Sequence, residues 1–154
     1  MKKIISILIT CILCFFMIGC ENVNYNATFY DNAKEWINED FINDNLVFLE
    51  SSSYPTERIF IVKNQDEYNE IFVEGIDEFS VDFNSQMIVV YTFATIYHRD
   101  NSLVSLDVNE NSLKITYKME KKVGVGDASQ PYQRWFVVRL DKFNIDSVVF
   151  VEKD

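Results

Sequence analysis

Beyond residue 20 the chain has no cysteine, and it has a single histidine, His98. The three cysteines are Cys11, Cys14 and Cys20. A domain formed downstream of them has no disulfide, no thiol nucleophile and no cysteine metal site. One imidazole excludes a multi-histidine metal centre. Glycine is scarce, with four in 154 residues. The one close pair, Gly124-x-Gly126, is too short for a nucleotide loop and opens no helix. Positive charge is also short: 14 Lys and Arg stand against 24 Asp and Glu, a net charge of −10. Such a chain has no electrostatic footprint for nucleic acid. What is present is ordinary globular material, 48% hydrophobic and 25% charged, which excludes disorder of the whole chain. Its length allows one domain with a short appendage.

The appendage is at the start. Met1-Lys2-Lys3 is positive, Ile4 to Ile18 is apolar apart from Ser6, Thr10 and the two cysteines, and Glu21-Asn22 turns the chain polar at once. A charged start, a short apolar run and a small residue before a cut describe a secretory signal peptide. The run from Ile4 to Gly19 has 16 residues, short of the roughly 20 that a membrane span needs. Met17-Ile18-Gly19-Cys20 resembles the lipobox of bacterial lipoproteins. That resemblance implies that Cys20 takes a diacylglycerol and becomes the first residue of the mature protein. Residues 1–19 are then the signal peptide, 20–28 a tether and 29–154 one globular domain. Losing Lys2 and Lys3 leaves 12 basic and 24 acidic side chains, a net charge of −12 on 135 residues. So much negative charge repels anionic lipid surfaces. The acyl chains on Cys20 are the expected membrane contact, on the extracytoplasmic face of the cell membrane.

Along the mature chain, Tyr30, Ala33, Trp36, Ile37 and Phe41 recur at helical spacing. They predict an amphipathic helix of about four turns, capped by Thr28, with Asp31, Glu35, Glu39 and Asp40 on its wet face. Arg58–Val62 reads as a strand. Asn64 with Glu67 opens a two-turn helix in the manner of a capping box, and Gly75 stops it. Gln86–Tyr97 is apolar on both faces, as in a central strand covered from two sides. Leu103–Val108 and Leu113–Met119 form a hairpin about Asn109-Glu110-Asn111. In the second strand Leu113, Ile115, Tyr117 and Met119 alternate with polar residues. Tyr132–Leu140 and Ser147–Val151 are later strands, preceded by the one long flexible stretch, Val123–Pro131. Helices first and antiparallel strands after predict an α+β fold, with N-terminal helices packed on a mostly antiparallel sheet.

Glu67-Tyr68-Asn69-Glu70-Ile71-Phe72, followed by Val81-Asp82-Phe83-Asn84-Ser85-Gln86 and the apolar run Met87–Val90, resembles the PrcB C-terminal-like domain of small bacterial lipoproteins. Ser129-Gln130-Pro131 ahead of Phe136–Leu140 falls where that family has a proline before a late strand. The likeness spans about residues 57–151. Where the family has a Gly-Gly-Tyr element, this chain reads Ala94-Thr95-Ile96-Tyr97-His98-Arg99. The resemblance implies an accessory protein that stabilises a partner protease complex and has no catalysis of its own.

Catalytic signatures are fragments. His98-Arg99-Asp100 spells the start of a kinase catalytic loop without the Asn, Asp-Phe-Gly or glycine loop that must accompany it. Asp107-x-Asn109-x-Asn111 imitates half a calcium loop, with Ser112 in place of glycine and Lys118 in place of the closing glutamate. No catalytic residue, cofactor or metal site is expected. The aromatic load is high: 13 Phe, 8 Tyr and 2 Trp. Tyr91, Phe93 and Tyr97 share one face of the central strand, a sticky platform wherever that face is open. Tyr132 and Arg134 begin the strand beside the flexible stretch and are expected to be exposed. The partner-binding residues expected from the sequence are therefore Tyr97, His98, Tyr132 and Arg134, and the expected partner is another extracytoplasmic protein. The competing expectation is a small-ligand binder or a hydrolase with an unrecognised site. The discriminating feature is a deep pocket with converging polar groups near His98, Arg99 and Arg134.

Overall fold

The computed structural model describes residues 25–50, 53–76, 79–121 and 126–153. The expected signal peptide, Cys20 and residues 123–125 of the stretch expected to be flexible lie outside them. β-strands are the main regular structure of the described chain, in two sheets. The first is four-stranded and antiparallel, in the order β1 (Ala27–Tyr30), β6 (Tyr132–Asp141), β3 (Gln86–Thr95), β2 (Glu57–Val62). The second is three-stranded. β4 (Arg99–Asn109) pairs antiparallel with β5 (Ser112–Lys121), and β5 pairs parallel with β7 (Ser147–Glu152). Among the described residues no helix is long and apolar enough to cross a membrane.

β3 explains the layering. Its residues from Met87 to Thr95 are all buried, and successive side chains point to opposite faces. Ile88 and Val90, with Trp135 and Val137 of β6, pack under Ala33, Ile37, Ile71, Phe72 and Phe79. Met87 and Val89, with Val138 and Leu140, pack against Leu113, Ile115 and Val148 of the second sheet. Tyr91, Phe93, Tyr117 and Phe136 complete that inner layer. The Tyr91 and Phe150 rings stack across it at 4.2 Å and 9°. The aromatic face of the central strand is therefore sandwich core, and only Tyr97, past the end of the strand, is partly open.

The expected N-terminal helix is corrected. Its apolar face is real: Ala33 and Ile37 are buried, and Tyr30, Trp36 and Phe41 pack beside them. The backbone is not one helix. Ala27–Tyr30 is an edge strand on β6, with Phe29 opposite Val138. Asn32 turns the chain at φ +63°, Ala33–Trp36 is a single 3-10 turn, and α1 is only Glu39–Asp44. Asn38 caps α1 by accepting the Asp40 N–H at 3.0 Å. Two asparagines that favour left-handed and cap geometries thus break the segment where periodicity alone carries it through. Thr28, expected as a helix cap, sits in the strand.

The one mostly antiparallel sheet expected from the sequence is corrected too, since there are two sheets and β7 pairs parallel with β5; the second helix forms as read. In α2 (Gln65–Ile71), Asn64 Oδ1 accepts the Glu67 N–H at 2.9 Å, and Glu67 reaches back to the Lys63 N–H at 2.6 Å. The helix ends at Ile71 with Phe72 extended as its C-cap, so Gly75, at φ +77°, lies four residues past the end and does not stop it.

Candidate functional site

β6 starts at Tyr132 opposite Thr95, the last residue of β3. The short link 96–98 then carries the chain into the second sheet at Arg99. This crossing gathers the four residues expected from the sequence. The Tyr132 hydroxyl donates to the Tyr97 carbonyl at 2.8 Å and lies 3.2 Å from His98 Nδ1. The two rings stack at 5.0 Å. The Arg99 guanidinium sits 4.1 Å over the Tyr97 ring. His98 is exposed and Tyr132 is half-buried.

Arg134 is corrected. It is 4% exposed, not a surface side chain. Its Nη2 pairs with Asp31 Oδ1 and its Nη1 donates to the Arg99 carbonyl at 2.6 Å. Asp31 also accepts the Asn101 backbone N–H at 2.8 Å and its side-chain amide at 3.2 Å. A buried guanidinium needs this: uncompensated, its charge would cost several kcal/mol. Asp31, placed on a wet helix face by periodicity, is thus the anion at the centre of the cluster. Neither it nor Asn101 carries a sequence signal, since each becomes special only when three strands meet.

The other fragments are structural. Asp107 pairs with Lys114 across the hairpin at 3.4 Å. Asn111 donates to Asp146 at 3.0 Å. Among the described residues no group of His, Cys, Asp or Glu is arranged to hold a metal. Two buried tyrosines have displaced acidities. Burial, the hydrogen bond to Glu57 at 2.6 Å and neighbouring charge hold Tyr91 far above the usual phenol range. Burial, with nearby carboxylates, pushes Tyr117 up to about 12. Both sit between the sheets and face no cavity described here.

Three cavities meet at Tyr132. One of about 120 Å³ is polar and lies among Asn32, His98, Arg99 and Asp100. One of about 480 Å³ runs over Lys34, Ile42, Asn43, Arg134 and Trp135. One of about 140 Å³ is lined by Val47, Phe48, Ala94 and Pro131. The last two share Leu46, Tyr132 and Gln133 and so lie next to each other, the smaller being the more apolar in its other walls. Pro131 lines the smaller one, and nearby in sequence the Ala128 N–H donates to the Ile96 carbonyl at 2.6 Å.

No family model matches the chain, and no curated protein or solved structure is similar to it.

The polar groups at the crossing point at one another. Tyr132 is bonded to the link 96–98 and Arg134 to Asp31 and the Arg99 carbonyl, while Arg134 also lines the 480 Å³ cavity and its Nε has no hydrogen-bond partner among the described residues. His98, the one histidine, has its Nδ1 against the Tyr132 hydroxyl.

Proposed function

We propose that the chain is a lipid-anchored extracytoplasmic lipoprotein whose domain binds another protein and catalyses nothing. The anchor is the acylated Cys20 expected from the sequence. One placement supports the reading above the rest. The described chain enters the fold at Tyr25–Asn26, where Asn26 N–H meets Asp141 Oδ2 at 3.2 Å and Tyr25 packs edge-on against Phe143 at 4.8 Å. Asp141 ends β6 and Tyr132 begins it. The cavities at Tyr132 thus lie roughly 30 Å along the strand from the tether. An anchored protein holds that end away from the bilayer, open to an extracytoplasmic partner. The accessory role implied by the PrcB-like segment agrees with this. The α2 helix followed by a buried central strand reproduces the order of elements on which that likeness rests.

The test is fractionation followed by cross-linking. The wild-type protein should partition with membranes, and Cys20→Ala should appear in the medium or stay unprocessed. Cross-linkers placed at His98 should capture protein, and cross-linkers placed at Asp141 should capture none or different species. Equal soluble fractions of wild type and Cys20→Ala would sink the anchor, and capture of nothing at His98 would sink the binding role. The 480 Å³ cavity is large enough for a small ligand, and a ligand that co-purifies with the protein would turn the reading toward a binding protein for that molecule.

A further inference from the structure

β6 is covered on both edges for only part of its length. Its ladder with β1 stops at Tyr30 opposite Val137, and Asn32 then turns the chain away at φ +63°. Its ladder with β3 runs on to Tyr132 opposite Thr95. From Tyr132 to Phe136 no described strand lies along the outer edge, and the 480 Å³ cavity is walled there by Tyr132, Gln133, Arg134 and Trp135. We infer that this edge is a strand-addition site, which takes a short extended segment of a partner polypeptide carrying Asp or Glu. The inference rests on the protein-binding reading above and names where the partner's chain lies and what it carries.

The backbone decides what the edge offers. In an antiparallel ladder the N–H and C=O groups of successive residues point to alternate sides. The Asp141 N–H donates to the Asn26 carbonyl, on the β1 side, at 3.2 Å. The Lys142 N–H donates to the Ser85 carbonyl, on the β3 side, at 2.9 Å. Odd-numbered residues of β6 thus present their backbone groups to the β1 side. At Val137 and Arg139 β1 meets them. At Gln133 and Trp135 no described strand does. Their N–H and C=O groups stand in a row at ladder spacing beside the cavity. An extended chain matches that spacing residue for residue, and main-chain bonding of this kind is how peptides join open sheet edges.

The shape of the cavity agrees. The side chains of Arg134 and Trp135 leave opposite faces of the sheet. A cavity that touches both lies along the edge of the strand and not on one face. Ile42 and Leu46 give it an apolar wall for a side chain of the added segment. Trp135 is buried, and its indole N–H has no hydrogen-bond partner among the described residues.

Charge narrows the partner. The charged residues lining the cavity are Lys34 and Arg134, and no carboxylate lines it. Arg134 is already paired with Asp31. Lys34 is exposed and makes no ion pair among the described residues. One positive charge is therefore unmatched at this edge, in a chain whose net charge is −10. Asp or Glu on the incoming segment complements it. The chain's own N-terminal segment is not the occupant, because it meets β6 at the opposite end, at Asp141.

The experiment uses the processed, anchored protein in detergent and three fluorescent peptides blocked at both ends. The first is Thr-Val-Asp-Val-Thr, the second is the same with every backbone nitrogen methylated, and the third has Lys in place of Asp. In the free protein, hydrogen exchange read by NMR should be faster at the Gln133 and Trp135 amides than at Arg134 and Phe136, which face β3. The first peptide should bind saturably in fluorescence anisotropy and slow exchange at Gln133 and Trp135. The methylated peptide should bind about tenfold more weakly or worse, and the lysine peptide several-fold more weakly, as suits one exposed ion pair. Lys34→Glu, at an exposed position, should reverse the preference between the first and third peptides. No saturable binding of the first peptide up to about millimolar concentration, equal binding of the methylated one, or unchanged preference in Lys34→Glu would overturn the inference. So would slow exchange at Gln133 and Trp135 in the free monomer, or a dimer in sedimentation that protects those amides, because the edge would then be covered by this chain or by a second copy. Protein captured by cross-linkers at His98 alongside any of these results sinks strand addition alone, whereas loss of that capture sinks the binding reading beneath it.

Discussion

Arg134 and Asp31 form a buried ion pair across 103 residues of sequence, with 3% and 19% of their side chains exposed. The pair fastens the loop after β1 to the start of β6. Through Asn101 and the Arg99 carbonyl it fastens both to β4. It thereby holds the two sheets together at the end where the cavities open.

Removing Arg134 leaves Asp31, one-fifth exposed, without its counter-charge and held only by the Asn101 donors. Arg134→Ala is expected to cost roughly 3–5 kcal/mol of stability, measured by equilibrium urea unfolding. Arg134→Met combined with Asp31→Leu removes both charges and should cost much less. A single-variant loss under about 1 kcal/mol would mean that water reaches the pair and that it contributes no more than a surface bridge.

Tyr132 holds the link 96–98 by one hydrogen bond and one ring stack. Tyr132→Phe keeps the stack on His98 and loses the bond to the Tyr97 carbonyl. About 1 kcal/mol of stability should go with it. The amide of Tyr97, bonded to Thr95 Oγ1 at 3.1 Å, should exchange faster with solvent. Unchanged exchange across 96–98 would show that other contacts hold the link.

The β4–β5 hairpin turns through Glu110-Asn111, with Glu110 at φ +52°. A side chain there crowds the following carbonyl, which glycine avoids. Glu110→Gly should raise stability by about 0.5–1 kcal/mol, the strain relieved less the entropy that glycine loses. A lowered melting temperature would show that the Glu110 side chain makes a contact worth more than its strain.

The buried tyrosines set the alkaline limit. Tyr117 and Tyr91 hold their protons in the folded protein at pH values where the unfolded chain, titrating near 10, gives them up. Their contribution is fully present below pH 10 and is lost as pH rises through about 12, because only the unfolded state releases the proton in that window. Melting temperature should fall steeply above pH 10, and Tyr117→Phe should flatten the fall. An alkaline limb identical in wild type and variant would place its cause elsewhere.

Much of the sheet was legible because its signals are local. Gln86–Thr95 is greasy on both faces, Leu113–Met119 alternates, and Asn64 with Glu67 caps a helix whose residues lie next to one another in sequence. The first segment misled because Tyr30, Ala33, Trp36 and Ile37 do line one buried face. Helical spacing of apolar residues states which side chains go inward, and a strand, a 3-10 turn and a short helix in series can present the same set. At the site, sequence singled out Tyr97, His98 and Tyr132 at strand ends, and the structure brings them into contact. The sequence reading misjudged Arg134 because an arginine between Tyr and Trp reads as surface until its anion is found, and Asp31 lies on another strand's end.

The account turns on whether Cys20 is the anchored first residue of the mature protein. Mass spectrometry of the mature N-terminus decides it. The expected species begins at Cys20, lacks residues 1–19 and carries the added mass of a diacylglyceryl group. An N-terminus beginning elsewhere, or an unmodified Cys20, would contradict it and leave the cavities at Tyr132 with no membrane to face away from.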